Sequence, residues 1–184
     1  MKKIIATIFL TMIFSANAQV IIGDATGTAA VKTSVLLEFA AGQNKGIIVP
    51  YVRTMPTTPT EGTILLDAST PISSRMKYYA GSVKGWVDLS GQPADLSSTG
   101  VNVLAAQPAG ITEATTSKAI IGAATSAADG VLVLESTTKA MVLPTVADVQ
   151  NIPSPSPGMM VYVNKAGAKR LAVFNGSKWS FWKP

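Results

Sequence analysis

The 184-residue chain contains no histidine and no cysteine. The first absence removes the side chain that most often serves as general base or metal ligand, and the second removes the most reactive nucleophile. A serine triad has no imidazole to work with. Without cysteine there is no disulfide either, so stability has to come from packing, hydrogen bonds or assembly. Charged residues make up only 14% of the sequence, and its three arginines, Arg53, Arg75 and Arg170, are scattered. Neither a basic run nor arginines interleaved with aromatics occurs, so no nucleic-acid partner is expected. Long apolar runs are also missing. The apolar core near the start, Ile4 to Ser15, is shorter than the roughly 20 residues a membrane helix needs, and no membrane span is expected.

That short stretch has another reading. Lys2 and Lys3 precede it, and Ala16-Asn17-Ala18 follows it as a small-x-small cleavage pattern ahead of Gln19, the layout of a secretory signal peptide. The expected mature chain begins at Gln19 and is secreted or held at the cell surface. No cysteine follows the cleavage point to carry a lipid. Loss of Lys2 and Lys3 leaves 13 basic against 10 acidic residues and lowers the formal charge from +5 to +3.

The remaining chemistry is sparse. Ser74 to Lys77 and Ser136 to Lys139 both spell Ser-x-x-Lys, but that spacing aligns hydroxyl and amine only on a helix, and both stretches read as turn or strand. "AADGVL" (Ala127 to Leu132) supplies Asp129 alone, where a calcium loop needs several oxygens at alternate positions. "GDATGTAA" (Gly23 to Ala30) lacks both the lysine of a phosphate loop and the third glycine of a dinucleotide turn. No catalytic residue, metal ligand or cofactor site is therefore expected, and the chain reads as a non-enzyme.

The chain does contain itself twice. "VIIGDAT" (Val20 to Thr26) recurs as "AIIGAAT" (Ala119 to Thr125), and "SVLLEF" (Ser34 to Phe39) as "VLVLES" (Val131 to Ser136), which aligns Glu38 with Glu135. "KGIIVPYV" (Lys45 to Val52) returns as "KAMVLPTV" (Lys139 to Val146), and "PTEGTILLD" (Pro59 to Asp67) as "PSPGMMVYV" (Pro155 to Val163). Tyr79, Gly81 and Trp86 match Phe174, Gly176 and Trp179. Five blocks in one order indicate a tandem duplication.

Each copy is built of short runs rich in Val, Ile, Leu, Tyr and Thr between clusters of Gly, Pro, Ser, Thr and Asn, which reads as β structure. The fold class expected is all-β: two tandem small β modules joined by a linker and oligomeric, since each copy, at roughly seventy residues, is marginal as a lone core. The expected segmentation is 1–18 signal peptide, 19–89 first β module, 90–118 linker and 119–184 second β module. "IIVP", "TILL" and "MMVYV" read as buried on both faces. The best short helix candidate is Thr145 to Ile152, with Thr145 as N-cap. Glu38 and Glu135 read as outward polar positions of edge strands, the alternative being an inward, paired carboxylate. Asn175-Gly176 reads as a hairpin turn needing positive φ at both residues, in preference to a glycosylation sequon.

These blocks resemble a module found in exported surface proteins of Gram-negative bacteria and in phage tail-fibre-like proteins. The residues that carry the resemblance are "LLE" (Leu36 to Glu38), "KGIIVP", "PTEGTILL" and "YYAGSVKGW", and in the second copy Leu134-Glu135, "KAMVLP", "PSPGMMVY" and "VFNGSKW". The resemblance implies a β-rich, often oligomeric fibre or surface module that commonly stands beside adhesive domains. The family's arginine after the Lys-Gly-apolar-Pro block is replaced here by Tyr51 and Thr145, and its tyrosine survives only as Tyr162, with Leu66 in the first copy. Activities borne by the larger C-terminal domains of such proteins are not carried over.

Seven of the ten mature aromatics fall in the last hairpin of each copy: Tyr78, Tyr79, Trp86, Phe174, Trp179, Phe181 and Trp182. Trp86 and Trp179 read as plugs of each small sheet. Trp182, Phe181 and Tyr78 are the candidates for contact with a ligand or partner, such as a surface glycan or another surface protein. Val20, Ile21 and Ile22 form the candidate assembly strand, which would add to the second module of a neighbouring subunit. The function expected is structural or adhesive, in a surface filament or fibre assembled as a trimer or head-to-tail polymer; the alternative is a carbohydrate- or surface-binding module.

Overall fold

The computed structural model describes residues 19–97, 103–106, 114 and 117–182. The leader expected at 1–18 lies outside them, as does much of the segment between the copies. The chain is nearly all β. The first copy contributes β1 (Val20–Ile22), β2 (Val35–Phe39), β3 (Ile47–Ile48), β4 (Tyr51–Val52), β5 (Ile64–Asp67), β6 (Arg75–Tyr79) and β7 (Trp86–Asp88). The second contributes β8 (Ala119–Ile121), β9 (Leu132–Leu134), β10 (Ala140–Met141), β11 (Thr145–Val146), β12 (Met159–Val163), β13 (Arg170–Phe174) and β14 (Trp179–Trp182).

The duplication holds at the level of register. Tyr51 pairs with Leu66 in parallel, as Thr145 does with Tyr162. Asp67 stands opposite Arg75 as Val163 does opposite Arg170, and Tyr79 opposite Trp86 as Phe174 does opposite Trp179. The opening strand pair is parallel in both copies but slips: Val20 partners Leu37, whereas Ala119 partners Leu132. By the repeat alignment that is a shift of two residues, which keeps each side chain on its original face.

The copies are not separate bodies. β10 of the second copy pairs in parallel with β2 of the first, completing the order β1-β2-β10, and β3 of the first copy pairs antiparallel with β12 of the second. The close approach of β3 depends on Gly46, where a Cβ would lie 2.4 Å from the Met159 side chain and 2.8 Å from the Met160 carbonyl oxygen.

This exchange builds the core. Alternation along β12 and β13 sends Met160 and Val173 to one face of their sheet and Met159, Val161, Val163 and Ala172 to the other. The first face meets Leu66, Met76 and Leu89 from the sheet β4-β5-β6-β7. The second is covered by Val146, Val149 and Ile152, with Phe174 and Trp179 packed at its margin. The expectation that "TILL" and "MMVYV" are buried on both faces is met at Leu65, Leu66 and Met159 to Val161. The same expectation for "IIVP" fails at Ile48, which is 49% exposed.

Two local expectations are corrected. Thr145 caps no helix, because Thr145 and Val146 are held as strand by the bonds from Tyr162 N–H to Pro144 O and from Asn164 N–H to Val146 O. Only a single 3-10 turn, Val149–Asn151, remains, capped by Asp148 accepting from Gln150 N–H. The near end of the expected linker is no free connector: Ala94 and Leu96 are buried in the shared core with Leu104, and Ala94 forms a β-bridge with Ser74.

Because one core is shared, unfolding should be a single transition that coincides by circular dichroism and tryptophan fluorescence. Leu66→Ala should lower stability by about 2–5 kcal/mol and shift both signals together. Two separated steps would show that the copies unfold independently.

Candidate functional site

The aromatic hairpins repeat as geometry as well as sequence. Tyr79 and Trp86 lie with ring centroids 5.3 Å apart at 54°, and Phe174 and Trp179 5.2 Å apart at 43°. All four are half-buried, each tryptophan resting on the aromatic of the preceding strand. Tilted pairs of this kind add roughly 0.5–1.5 kcal/mol beyond burial, a structural use of the rings.

The turn of the last hairpin differs from the one expected. Gly176 has a positive φ of 107°, and Asn175 is not among the positive-φ residues. Asn175 is fully buried, and its Oδ1 accepts from Ser177 N–H and Lys178 N–H, each at 2.9 Å. Its Nδ2 donates to Gln92 O at 2.8 Å. The amide nitrogen a glycan would need is therefore committed to the fold.

Asn175 is one of three bonds by which β13–β14 grips the chain following β7. Ser180 Oγ donates to Ser90 O, and Trp182 Nε1 donates to Leu89 O at 2.9 Å. Trp182 is thus a brace between the copies that leaves part of its ring open, at 46% exposure. Phe181 is 41% exposed and lies beneath the Arg170 guanidinium, 4.3 Å from ring centre to Cζ. As successive residues of one strand they point to opposite faces, so they cannot form one flat platform. Tyr78 is half-buried against the shared core, far from fully open.

The strand Val20–Ile22 is paired within its own copy, through β2. Its other edge carries no strand among the described residues. The strands that cross between copies are β3 and β10. Removing Gln19 to Gly23 would therefore strip β2 of a partner as well as any contact to a neighbour.

Sequence reasoning misjudged Glu38. It is fully buried in β2, the central strand of its sheet, and is not an outward edge residue. Nor is it paired with Glu135. Oε2 accepts from Thr28 N–H at 2.9 Å and Ala29 N–H at 2.8 Å; Oε1 accepts from Gln19 Nε2 and pairs with the Lys32 ammonium. The loop "GDATGTAA" is the wrapping of this carboxylate. At Gly27, φ is 65° and a Cβ would lie 2.3 Å from the Glu38 carboxyl carbon. That glycine in a loop eleven residues before an acid inside an apolar run was the available signal. In the second copy the same position is looser: Glu135 is half-buried and accepts from Ser126 Oγ.

Burial pushes the Glu38 carboxyl up, but the Lys32 ammonium and the two backbone N–H donors outweigh it and hold the group below the usual carboxylate range. Asp67 and Asp88 behave alike: burial raises each, and Lys77 with Ser69, or Ser90 with Arg75, bring it down. Both acids pair with the basic residue of β6 diagonal to them: Asp67 stands opposite Arg75 but accepts from Lys77 Nζ at 2.7 Å, and Asp88 stands opposite Lys77 but pairs with Arg75.

Among the described residues, neither of two surface depressions brings an acid–base pair together. One of about 290 Å³ is lined by Gln19, Lys32, Thr33 and Lys139, and another of about 420 Å³ by residues that include Lys45, Asn151 and Met159. The Ser-x-x-Lys pairs are not assembled: Ser74 Oγ donates to Pro71 O at 3.2 Å while Lys77 binds Asp67, and Ser136 Oγ accepts from Thr138 N–H and Lys139 N–H. Among the described residues no helix is long and apolar enough to cross a membrane.

Residues 120–183 match the family model described as a phage tail like trimerisation region. The match covers β8 to β14, the second copy. No curated protein and no solved structure matches the chain. The β-rich fold and the family match together fit a phage tail-fibre-like β protein.

With no histidine to titrate, stability should be nearly flat from about pH 5.5 to 8. Glu38, Asp67 and Asp88 are all held below their ordinary values, so their contribution is complete above about pH 4.5 and is lost as pH falls through the lowered folded values. Glu38→Gln should flatten this acid limb and cost on the order of 3 kcal/mol at pH 7. Chemical denaturation at pH 3, 5 and 7 checks it; an unchanged acid limb would remove Glu38 from the account.

Proposed function

We propose that the chain is a secreted, non-enzymatic structural subunit of a fibre-like surface assembly, built as a homotrimer or a related homo-oligomer. The observation that carries this reading is the match of the second copy to a trimerisation region of phage tail-like proteins, on a fold whose strands already cross between modules. Apolar side chains left open on or beside short strands, among them Ile48, Val131 and Leu132, support association further. Export rests on the leader pattern before Gln19. The lack of histidine and cysteine, with no acid–base pair in the two described surface depressions, supports a structural role over catalysis.

Light scattering on the secreted mature protein tests the assembly. A mass of three chains is expected, each beginning at Gln19; a single-chain mass at all concentrations up to the millimolar range would remove the reading.

A second role, adhesion, draws on the half-open rings of Phe181 and Trp182. Since they lie on opposite faces of β14, each would act as a separate contact in the assembled fibre. Phe181→Ala should weaken retention on a polysaccharide surface while leaving the circular dichroism unchanged, whereas Trp182→Ala should weaken retention and, by removing the brace to Leu89 O, lower stability as well. Undiminished retention would leave the structural role alone.

A further inference from the structure

From the mismatch between the copies we infer that the open edge of β9 receives the Gly46–Ile48 strand of a second copy of this chain, in parallel and in the register that β10 adopts on β2. The inference deepens the homo-oligomer reading and rests on it. Its basis is that one interface of the repeat is filled and its equivalent is empty. In the filled case β10 lies on β2, with Ala140 opposite Val35 and Met141 opposite Leu37. Val142 N–H donates to Leu37 O at 2.8 Å. The repeat alignment turns these residues into Gly46 opposite Leu132, Ile47 opposite Leu134, and Ile48 N–H donating to Leu134 O; the further bond from Ala140 N–H to Ser34 O has no free counterpart, because Val131 O accepts from Ala119 N–H.

Within the described residues of one chain that second pairing does not form, because β3 lies on β12 and β9 pairs there only with β8. Burial records the difference. Val35 and Leu37 of β2 are 5% and 1% exposed, whereas Leu132 of β9 is 48% exposed and Ile48 of β3 is 49% exposed.

The backbone points the right way on both sides. Val49 N–H donates to Gly158 O across β3·β12, so by alternation Ile47 turns toward β12 while Gly46 and Ile48 turn their N–H groups away. On β9, Glu135 N–H donates to Ile121 O and Val131 O accepts from Ala119 N–H. Val131, Val133 and Glu135 therefore face β8, and Leu132 and Leu134 present their main chain to the open edge. An unpaired edge with apolar side chains is a template for strand addition. The occupant with the matching sequence and direction is a second copy, because the cis partner β10 is the repeat equivalent of β3.

Such a contact joins the second module of one chain to the first module of the next. It is heterologous, and it closes into a ring or runs on as a filament according to the rotation it imposes.

The native absence of cysteine makes the test clean. Ile47→Cys and Leu134→Cys chains, co-expressed and oxidised, should form a disulfide between chains, since directly paired strand residues lie within the Cα separation a disulfide spans. Leu132→Lys should shift the assembly toward single chains in light scattering while the circular dichroism stays unchanged. An oligomer that persists without the Ile47–Leu134 cross-link, or with mass undiminished by Leu132→Lys, overturns this interface and leaves the homo-oligomer reading standing. A wild-type protein that is a single chain at every concentration overturns both.

Discussion

The fold depends on the exchange of one short strand in each direction between two copies of the same sequence. β3 of the first copy closes against β12 of the second, and β10 of the second closes against β2 of the first. The physical need behind it is size. A copy of roughly seventy residues buries too small a fraction of its surface to be secure alone, and no disulfide is present to compensate. The central apolar cluster therefore draws Leu66 and Met76 from one copy, Met160 and Val173 from the other, and Leu96 and Leu104 from the segment between them.

The exchange also explains why two copies of one pattern have diverged in detail. Gly46 stands where β3 must press against β12, whereas its equivalent Ala140 can carry a side chain because β10 meets a different strand. Glu38 lies at the centre of a three-stranded sheet and is solvated by its own loop; Glu135 lies in a two-stranded pair and needs only Ser126. A buried carboxylate with a lysine and two backbone donors is not a cheap way to gain stability, since burial opposes its charge. What it does is fix the path of the Gly23–Lys32 loop against β2.

The clustering of aromatics near the end of each copy invited a functional interpretation, and the structure divides it. Tyr79 with Trp86 and Phe174 with Trp179 are equivalent packing pairs. Trp182, unique to the second copy, fastens that copy to the chain after β7 through its indole N–H. Its remaining open face, and that of Phe181, are what a surface contact could use. The brace and the contact are compatible, because a ring held by its edge still offers a face.

Sequence by itself determined the β class, the duplication in its order of matched blocks, and a structural use of Trp86 and Trp179. These follow from local composition, from alternation, and from the order of matched blocks, none of which requires knowing what lies across space. Only the tertiary structure decided which copy's strand pairs with which, that Glu38 points inward, and that Asn175 caps its turn from a buried position. Those outcomes depend on contacts between residues far apart in the chain, and two copies with the same pattern present the same local signal whether a strand returns to its own module or crosses to the other. The crossing is decided by the competition for one shared core, which no single stretch of sequence displays.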